Sequence, residues 1–167
     1  MELGAVLFSF ALAGAATGWR PIDDVVMGGM SASRAVPTDR GTLLFTGRVS
    51  LENNGGFASI RSAPQRFDVA GQAGIALRVK GDGKRYKVNL RTDTEFDGVQ
   101  FQAAIEPPAG EWTTMALPFS AFRPTFRGRP AGGTLDPARI ATVGLVIADG
   151  QAGPFALEIE WIRGWRE

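Results

Sequence analysis

Gly74-Ile75-Ala76-Leu77-Arg78-Val79-Lys80-Gly81-Asp82-Gly83-Lys84-Arg85-Tyr86-Lys87-Val88-Asn89-Leu90-Arg91 alternates apolar and polar residues twice, with a glycine-rich break between. Ile75, Leu77 and Val79 fall on one face of the first run, and Ala76, Arg78 and Lys80 on the other. In the second run Tyr86, Val88 and Leu90 oppose Arg85, Lys87, Asn89 and Arg91. A period of two is the mark of a half-buried strand, and Gly81-Asp82-Gly83 is a turn signal. Val99 to Glu106 repeats the pattern, with Val99, Phe101, Ala103 and Ile105 against Gln100, Gln102, Ala104 and Glu106.

The same reading extends in both directions. Upstream, Ala5–Phe10, Gly41–Leu51 and Phe57–Arg61 read as strands; in the last, Phe57, Ser59 and Arg61 oppose Ala58 and Ile60. Downstream, Glu111–Leu117 is a strand ending at Pro118, with Trp112 expected in the core. Arg139–Ala148 is nearly continuous apolar, as in a strand buried on both faces. Pro154–Arg163 places Phe155, Leu157, Ile159 and Trp161 inward, and Glu158 and Glu160 outward. Arg123–Pro137 is the longest irregular stretch, and no amphipathic helix exceeds a turn or two. Many short alternating strands with glycine turns make an all-β fold, a β-sandwich of about ten strands with at most short helices. At 167 residues one domain is expected over 1–167.

Composition narrows the chemistry. The formal net charge is +1, which argues against nucleic acid as a partner. Cysteine and histidine are absent. That removes the disulfide, the thiolate nucleophile, the commonest general base and the commonest transition-metal ligand. Leu3–Ala16 is apolar and ends in small residues, like a signal peptide, yet Glu2 stands where a positive n-region belongs. The run is too short to span a bilayer as a helix. It reads as a first strand, giving a cytoplasmic protein with no membrane span; a signal peptide would make it secreted or periplasmic.

Two glycine-rich motifs stand out: Asp23-Asp24-Val25-Val26-Met27-Gly28-Gly29-Met30-Ser31 after Trp19, and Glu52-Asn53-Asn54-Gly55-Gly56-Phe57-Ala58-Ser59-Ile60-Arg61. Phe45-Thr46-Gly47, Arg78-Val79-Lys80-Gly81-Asp82-Gly83, Trp112, Leu117-Pro118-Phe119, Phe126-Arg127-Gly128-Arg129, Ile140 with Gly144, and Phe155–Ile159 follow in order. Together they resemble the complex I intermediate-associated protein 30 family in a compact bacterial-type form, over Phe8 to Ile162. The resemblance implies a galactose-binding-like jelly roll related in shape to carbohydrate-binding modules. It also implies a role in respiratory complex I assembly, as in the mitochondrial members, and hence a protein partner such as a respiratory-complex intermediate.

Candidate contact residues follow from the strand faces. If the three middle strands are neighbours, one face carries Arg78, Lys80, Lys87, Asn89, Arg91, Gln100 and Gln102, with Arg85. Such groups suit an acidic protein surface. They also suit a glycan, although Tyr86 alternates inward and leaves no aromatic ring for stacking. A plain solvated face is the bland alternative. Asp24, Met27, Asn54, Arg127 and Arg129 are candidate partner-loop residues. Met27 is an adaptable apolar contact. Arg127 and Arg129 can clamp an anion, or pair with Asp136 or Glu158. Asp23 and Asp24 can equally cap backbone N–H groups and hold a turn. Asp23, Asp24, Asn53, Asn54 and Asp82 are oxygen donors for a structural calcium, without EF-hand spacing; otherwise no cofactor is expected. Neither Asp23/Asp24 nor Glu158/Glu160 would face each other across a cleft, so no glycosidase pair is expected. The expected function is a non-catalytic binding module, an assembly factor or chaperone-like protein; the alternative is a carbohydrate-binding-like module.

Overall fold

The computed structural model describes residues 1–24, 28–95 and 97–167, with Asn54 described by its backbone alone. Two antiparallel sheets stack face to face. The six-stranded sheet runs β3 (Ala32–Pro37), β4 (Leu43–Val49), β13 (Gly153–Arg166), β6 (Gly74–Lys80) and β9 (Trp112–Pro118), and β1 (Glu2–Ser9) also pairs with β13. The seven-stranded sheet runs β11 (Arg129–Pro130), β10 (Arg123–Phe126), β8 (Gln100–Ile105), β7 (Tyr86–Arg91), β12 (Thr142–Ile147), β5 (Ala58–Arg61) and β2 (Arg20–Pro21). The fold is the all-β sandwich expected. The inward residues of both sheets form one core, including Leu43, Ile75, Leu77, Val79, Val88, Leu90, Ile60 and Leu145 at 0% exposure. Phe8, Phe10, Trp19 and Phe67 cluster in one part of it, and Phe45, Tyr86 and Phe155 in another. The N-terminal apolar run forms β1, so it is a strand of the sandwich.

Four expectations about placement change. First, β6 and β7 are not neighbours: Arg78 and Lys80 belong to one sheet and Lys87, Asn89 and Arg91 to the other. The Gly81–Gly83 turn crosses between sheets, pinned by Asp82, whose carboxylate accepts from the Tyr86 hydroxyl at 2.9 Å and the Ala156 N–H at 2.8 Å. Alternation states which face of a strand is buried, and stacking satisfies it as well as pairing does. Second, β13 shifts register between Ile159 and Trp161. That bulge turns Trp161 outward, half-buried, and Ile162 inward at 0% exposure. Third, Trp112 is half-buried on the outer face with the Lys80 ammonium 5.5 Å above its ring, so it lies outside the core. Fourth, Arg123–Pro137 is not wholly irregular, since β10 and β11 pair and extend the sheet beyond β8. Glu158 does point outward, yet it is buried under Thr42, Arg40 and Lys80, with Thr42 Oγ1 donating at 2.7 Å.

The two glycine-rich motifs meet at Asp23 and Asp24, both buried. Asp23 accepts from the Ser33 N–H (2.9 Å), the Ser33 hydroxyl (2.6 Å) and the Ser59 N–H (3.0 Å). Asp24 accepts from the Ser31 N–H (2.9 Å) and hydroxyl (2.6 Å), and from the Gly56 (2.7 Å) and Phe57 (3.2 Å) N–H groups. Ser31 and Ser33 lead into and belong to β3; Gly56, Phe57 and Ser59 lead into and belong to β5. Adjacent carboxylates therefore join a strand of one sheet to a strand of the other. The glycines give way to them. A Cβ on Gly29 would sit 2.4 Å from Asp24 Cγ, and one on Gly55 2.6 Å from its Oδ2. Gly28 has a different reason, a φ of +88° in open space.

Those two reasons predict different costs. Gly28→Ala should lower stability by about 1 kcal/mol through backbone strain alone. Gly29→Ala, which displaces the Asp24 carboxylate, should cost about 3 kcal/mol by leaving buried N–H groups unpaired. Chemical denaturation of the two variants measures this, and equal losses would contradict the assignment.

Burial by itself would raise the Asp24 carboxyl, but the donors of Ser31, Gly56 and Phe57 outweigh it and hold the group below its ordinary 3.8. Burial likewise opposes Glu158, and Arg40, Thr42 and Lys80 hold it below 4.5. A folded-state value below the unfolded one gives stability that is complete above the unfolded value and lost as pH falls through the folded one. Tm should therefore hold steady down to about pH 5 and fall progressively below about pH 4. Asp24→Asn should be less stable at neutral pH and show a shallower acid limb; an unchanged slope would contradict the assignment.

Candidate functional site

The outer face of the seven-stranded sheet is concave at its centre. One line of paired residues crosses it: Gln102 on β8, Asn89 on β7, Gly144 on β12, Arg61 on β5 and Arg20 on β2. Paired residues share a face, so their side chains rise from one floor. Gly144, central in that line, has no side chain, and the surface sinks there. A Cβ at this position would lie 3.0 Å from the Ile60 carbonyl and 3.6 Å from Asn89 Cβ. The resulting cleft holds about 290 Å³. Lys87, Val146 and Ser59 form the adjoining line. Phe57, Ile22 and Ala148 add apolar lining, and the β10–β11 turn contributes Arg127 and Gly128.

The polar groups of the cleft fall into two kinds. Some hold one another. Arg127, in a left-handed conformation at φ 52°, donates to Asp97 at 3.0 and 2.5 Å. Lys87 pairs with Asp149 at 3.3 Å. Arg91, 2% exposed, donates to Asp93 Oδ1 at 2.9 Å and to the Glu95 carbonyl at 2.7 Å. Asn89 is of the second kind, enclosed in the floor. Asn89 is 6% exposed and its Oδ1 has no hydrogen-bond partner among the described residues. A buried unpaired carbonyl is costly, and this one is closed to water as well. Burial pulls the Arg61 guanidinium down to about 10; the charges of Arg91 and Arg20 add to this, and Asp93 and Asp97 oppose it.

Of the residues singled out in the sequence, the cleft unites Lys87, Asn89, Arg91, Gln100, Gln102 and Arg127. Arg78 and Lys80 lie on the other sheet, near Glu160 and Glu158 respectively. Asp24 is occupied in joining the sheets. Arg129 is exposed on β11 and is not part of the lining. Met27 and the Asn54 side chain fall outside the described residues. Of the calcium donors, the three aspartates do not converge. Asp23 and Asp24 are engaged by N–H and hydroxyl donors, Asp82 is bonded elsewhere, and no group of three acidic side chains comes together among the described residues. Arg61, Phe57, Ser59, Asp97 and Gly144 complete the cleft and were not recognised as site residues. Their signals existed: Ser59 and Arg61 shared a polar face, and Gly144 was a lone glycine in an apolar strand. The missing aromatic group is supplied by Phe57, which lies beside the entry to β5.

If Asn89 is retained for contact, its removal should not harm the fold. Asn89→Leu, close in size and free of the unpaired carbonyl, should be neutral or stabilising by about 1 kcal/mol. Thermal denaturation decides it; a loss larger than that would show that the amide serves the fold instead.

Comparison with known proteins agrees with this architecture. Among solved structures, the family 11 carbohydrate-binding module from Clostridium thermocellum, in complex with a β-1,3-1,4-mixed-linked tetrasaccharide, superposes with a TM-score of 0.72 at 19% identity, over 99% of this chain and 97% of that one. A family 29 carbohydrate-binding module gives 0.54 at 13% identity, over 97% and 88%. At such identities the likeness is one of fold. Among sequences, complex I intermediate-associated protein 30, mitochondrial, from Mus musculus is 35% identical over 94 residues, 53% of this chain and 29% of that protein. The Neurospora crassa protein of that name is 30% identical over 138 residues, 77% and 47%. This chain thus spans under half the length of each. The model of the family described as complex I intermediate-associated protein 30 matches residues 8–159. The chain belongs to the complex I intermediate-associated protein 30 family.

Proposed function

We propose that this protein is a non-catalytic binding module that acts as an assembly factor, holding a protein partner in the cleft of the seven-stranded sheet. The partner class is a subunit or intermediate of a membrane-bound complex such as respiratory complex I, met from the cytoplasmic side. The observation that carries the reading is the cleft of about 290 Å³ that Gly144 leaves open, with Asn89 kept in its floor although its carbonyl is buried with no partner among the described residues. Function retained at a cost to stability is what binding sites display. Family membership supplies the class of partner. No helix of the described residues is long and apolar enough to cross a membrane.

A second reading, recognition of a glycan, is favoured by one specific observation. Phe57 lines the same cleft as the amides of Asn89, Gln100 and Gln102, and a ring can stack on a sugar while planar amides bond its hydroxyls.

Affinity capture from cell membranes and cytosol, followed by mass spectrometry, separates the two. The first reading expects subunits of one membrane complex with the unaltered protein, lost with Gly144→Leu, which fills the cleft, and kept with Arg78→Gln on the opposite sheet. Melting temperatures verify that both variants fold. A glycan array with a clear hit that Asn89→Ala and Gln102→Ala abolish, together with no captured complex, would overturn the first reading in favour of the second.

A further inference from the structure

The charged side chains of the cleft lining are already engaged. Lys87 pairs with Asp149 at 3.3 Å, Arg127 with Asp97 at 2.5 Å and Arg91 with Asp93 at 2.9 Å, and Arg61 has interactions of its own. A charged ligand would have to displace one of these pairs, so the cleft suits an uncharged one. The Asn89 carbonyl is enclosed and takes no part. What the cleft offers lies on its two sides. On β8, Gln100 and Gln102 are half-buried, and neither side-chain amide makes a hydrogen bond among the described residues. Residues two apart on a strand share a face and stand about 7 Å from each other. Across the depression at Gly144, Ile22, Phe57, Val146 and Ala148 make an apolar side.

We propose that the cleft receives an extended, uncharged segment of the protein partner, its backbone bonded by the Gln100 and Gln102 amides and one long apolar side chain laid over Gly144 toward Val146 and Phe57. The inference rests on the cleft being the partner site. A side-chain amide holds a donor and an acceptor side by side, the complement of a peptide unit. An extended chain repeats its orientation every second residue, again at about 7 Å. Two glutamines in step therefore meet two equivalent peptide units of a segment running along β8. Only β7 separates β8 from β12, a distance of about 10 Å. A leucine, methionine or phenylalanine side chain covers most of that gap, and an alanine or serine does not. The cleft, at about 290 Å³, sits near the lower bound of about 300 Å³ for ligand pockets. It takes one large side chain with a short run of backbone, not a folded surface. A neutral glycan is the competing occupant. Phe57 is the one ring among the described lining residues and stands at the side of the cleft, not in its floor, and its apolar neighbours give sugar hydroxyls nothing to bond.

The probes are a capped serine–threonine hexapeptide with one central leucine, the same peptide with glutamate for leucine, the leucine peptide N-methylated at alternate residues, and a β-1,3-1,4-mixed-linked tetrasaccharide. Each is titrated into the isotope-labelled full chain by NMR, following the glutamine side-chain amides and the methyl groups of Ile22 and Val146. The leucine peptide should shift Gln100, Gln102 and Val146, and its affinity should barely change with salt. The glutamate and N-methylated peptides should each bind about tenfold more weakly or worse. Gln100→Ala with Gln102→Ala, on half-buried side chains that carry no bond in the fold, should weaken the leucine peptide about tenfold. Arg78→Gln should change nothing. No shift at millimolar leucine peptide would overturn the proposal, as would equal binding of the glutamate peptide or of the N-methylated one. Tighter binding of the tetrasaccharide at the same signals would assign the cleft to a glycan and overturn the peptide. The parent reading is judged separately. Capture from lysate lost with Gly144→Leu but untouched by the double glutamine variant keeps the cleft and sinks the backbone contact. Capture untouched by Gly144→Leu sinks the cleft itself.

Discussion

Two adjacent carboxylates hold the sandwich in register. Asp23 and Asp24 follow β2 and reach β3 in one sheet and β5 in the other. Their donors are backbone N–H groups and two serine hydroxyls, all in a region where water cannot substitute easily. Charge-assisted hydrogen bonds of this kind are among the stronger ones available to a protein, and an unmet partner in such a place is expensive. Apolar burial explains why the sheets stack. It does not explain why β5, only four residues long, sits where it does. The aspartates do, and the glycines at 29 and 55 exist to let them in.

The position of β5 matters because of what it carries outward. Its inner face, Ala58 and Ile60, is sealed in the core at 0% exposure, and its outer face delivers Ser59 and Arg61 to the cleft, with Phe57 just before it. The family motif around Asn53–Arg61 thus has two duties on one short segment. Backbone N–H groups near its start bind the aspartates, and side chains on its outer face line the cleft. The motif around Asp23 has only the first duty among the described residues. The strand that the aspartates position thus carries cleft residues, and Gly144 on the neighbouring strand leaves the space open.

Much of this was legible in the sequence. The alternation of Ile75, Leu77 and Val79, of Tyr86, Val88 and Leu90, and of Phe101, Ala103 and Ile105 named the inward faces correctly, because period two follows from strand geometry alone. The polar residues of β7 and β8 were correctly grouped, since those strands are neighbours both in sequence and in space. Arg78 and Lys80 were wrongly joined to them, because a turn signal does not state whether the chain folds back into the same sheet or crosses to the next. Arg61 and Gly144 were missed because β12, late in the chain, inserts between β7 and β5. That is a non-local pairing with no local sign. Trp161 was misplaced by a bulge, where one extra residue reverses every later side chain. The errors therefore share a cause: faces are written locally and neighbours are not.

The central claim is that contact occurs on the concave face of the seven-stranded sheet and not on the outer face of the six-stranded one, where half-buried Trp112 and Trp161 sit among Arg78, Lys80 and Arg163. Photo-crosslinking in intact cells tests it most directly. A light-activated amino acid is placed at Gln100 on the cleft or at Thr114 on the opposite face, in a protein otherwise unchanged. Discrete crosslinked species from Gln100 and none from Thr114 are the predicted result. Species from Thr114 with none from Gln100 would contradict the account.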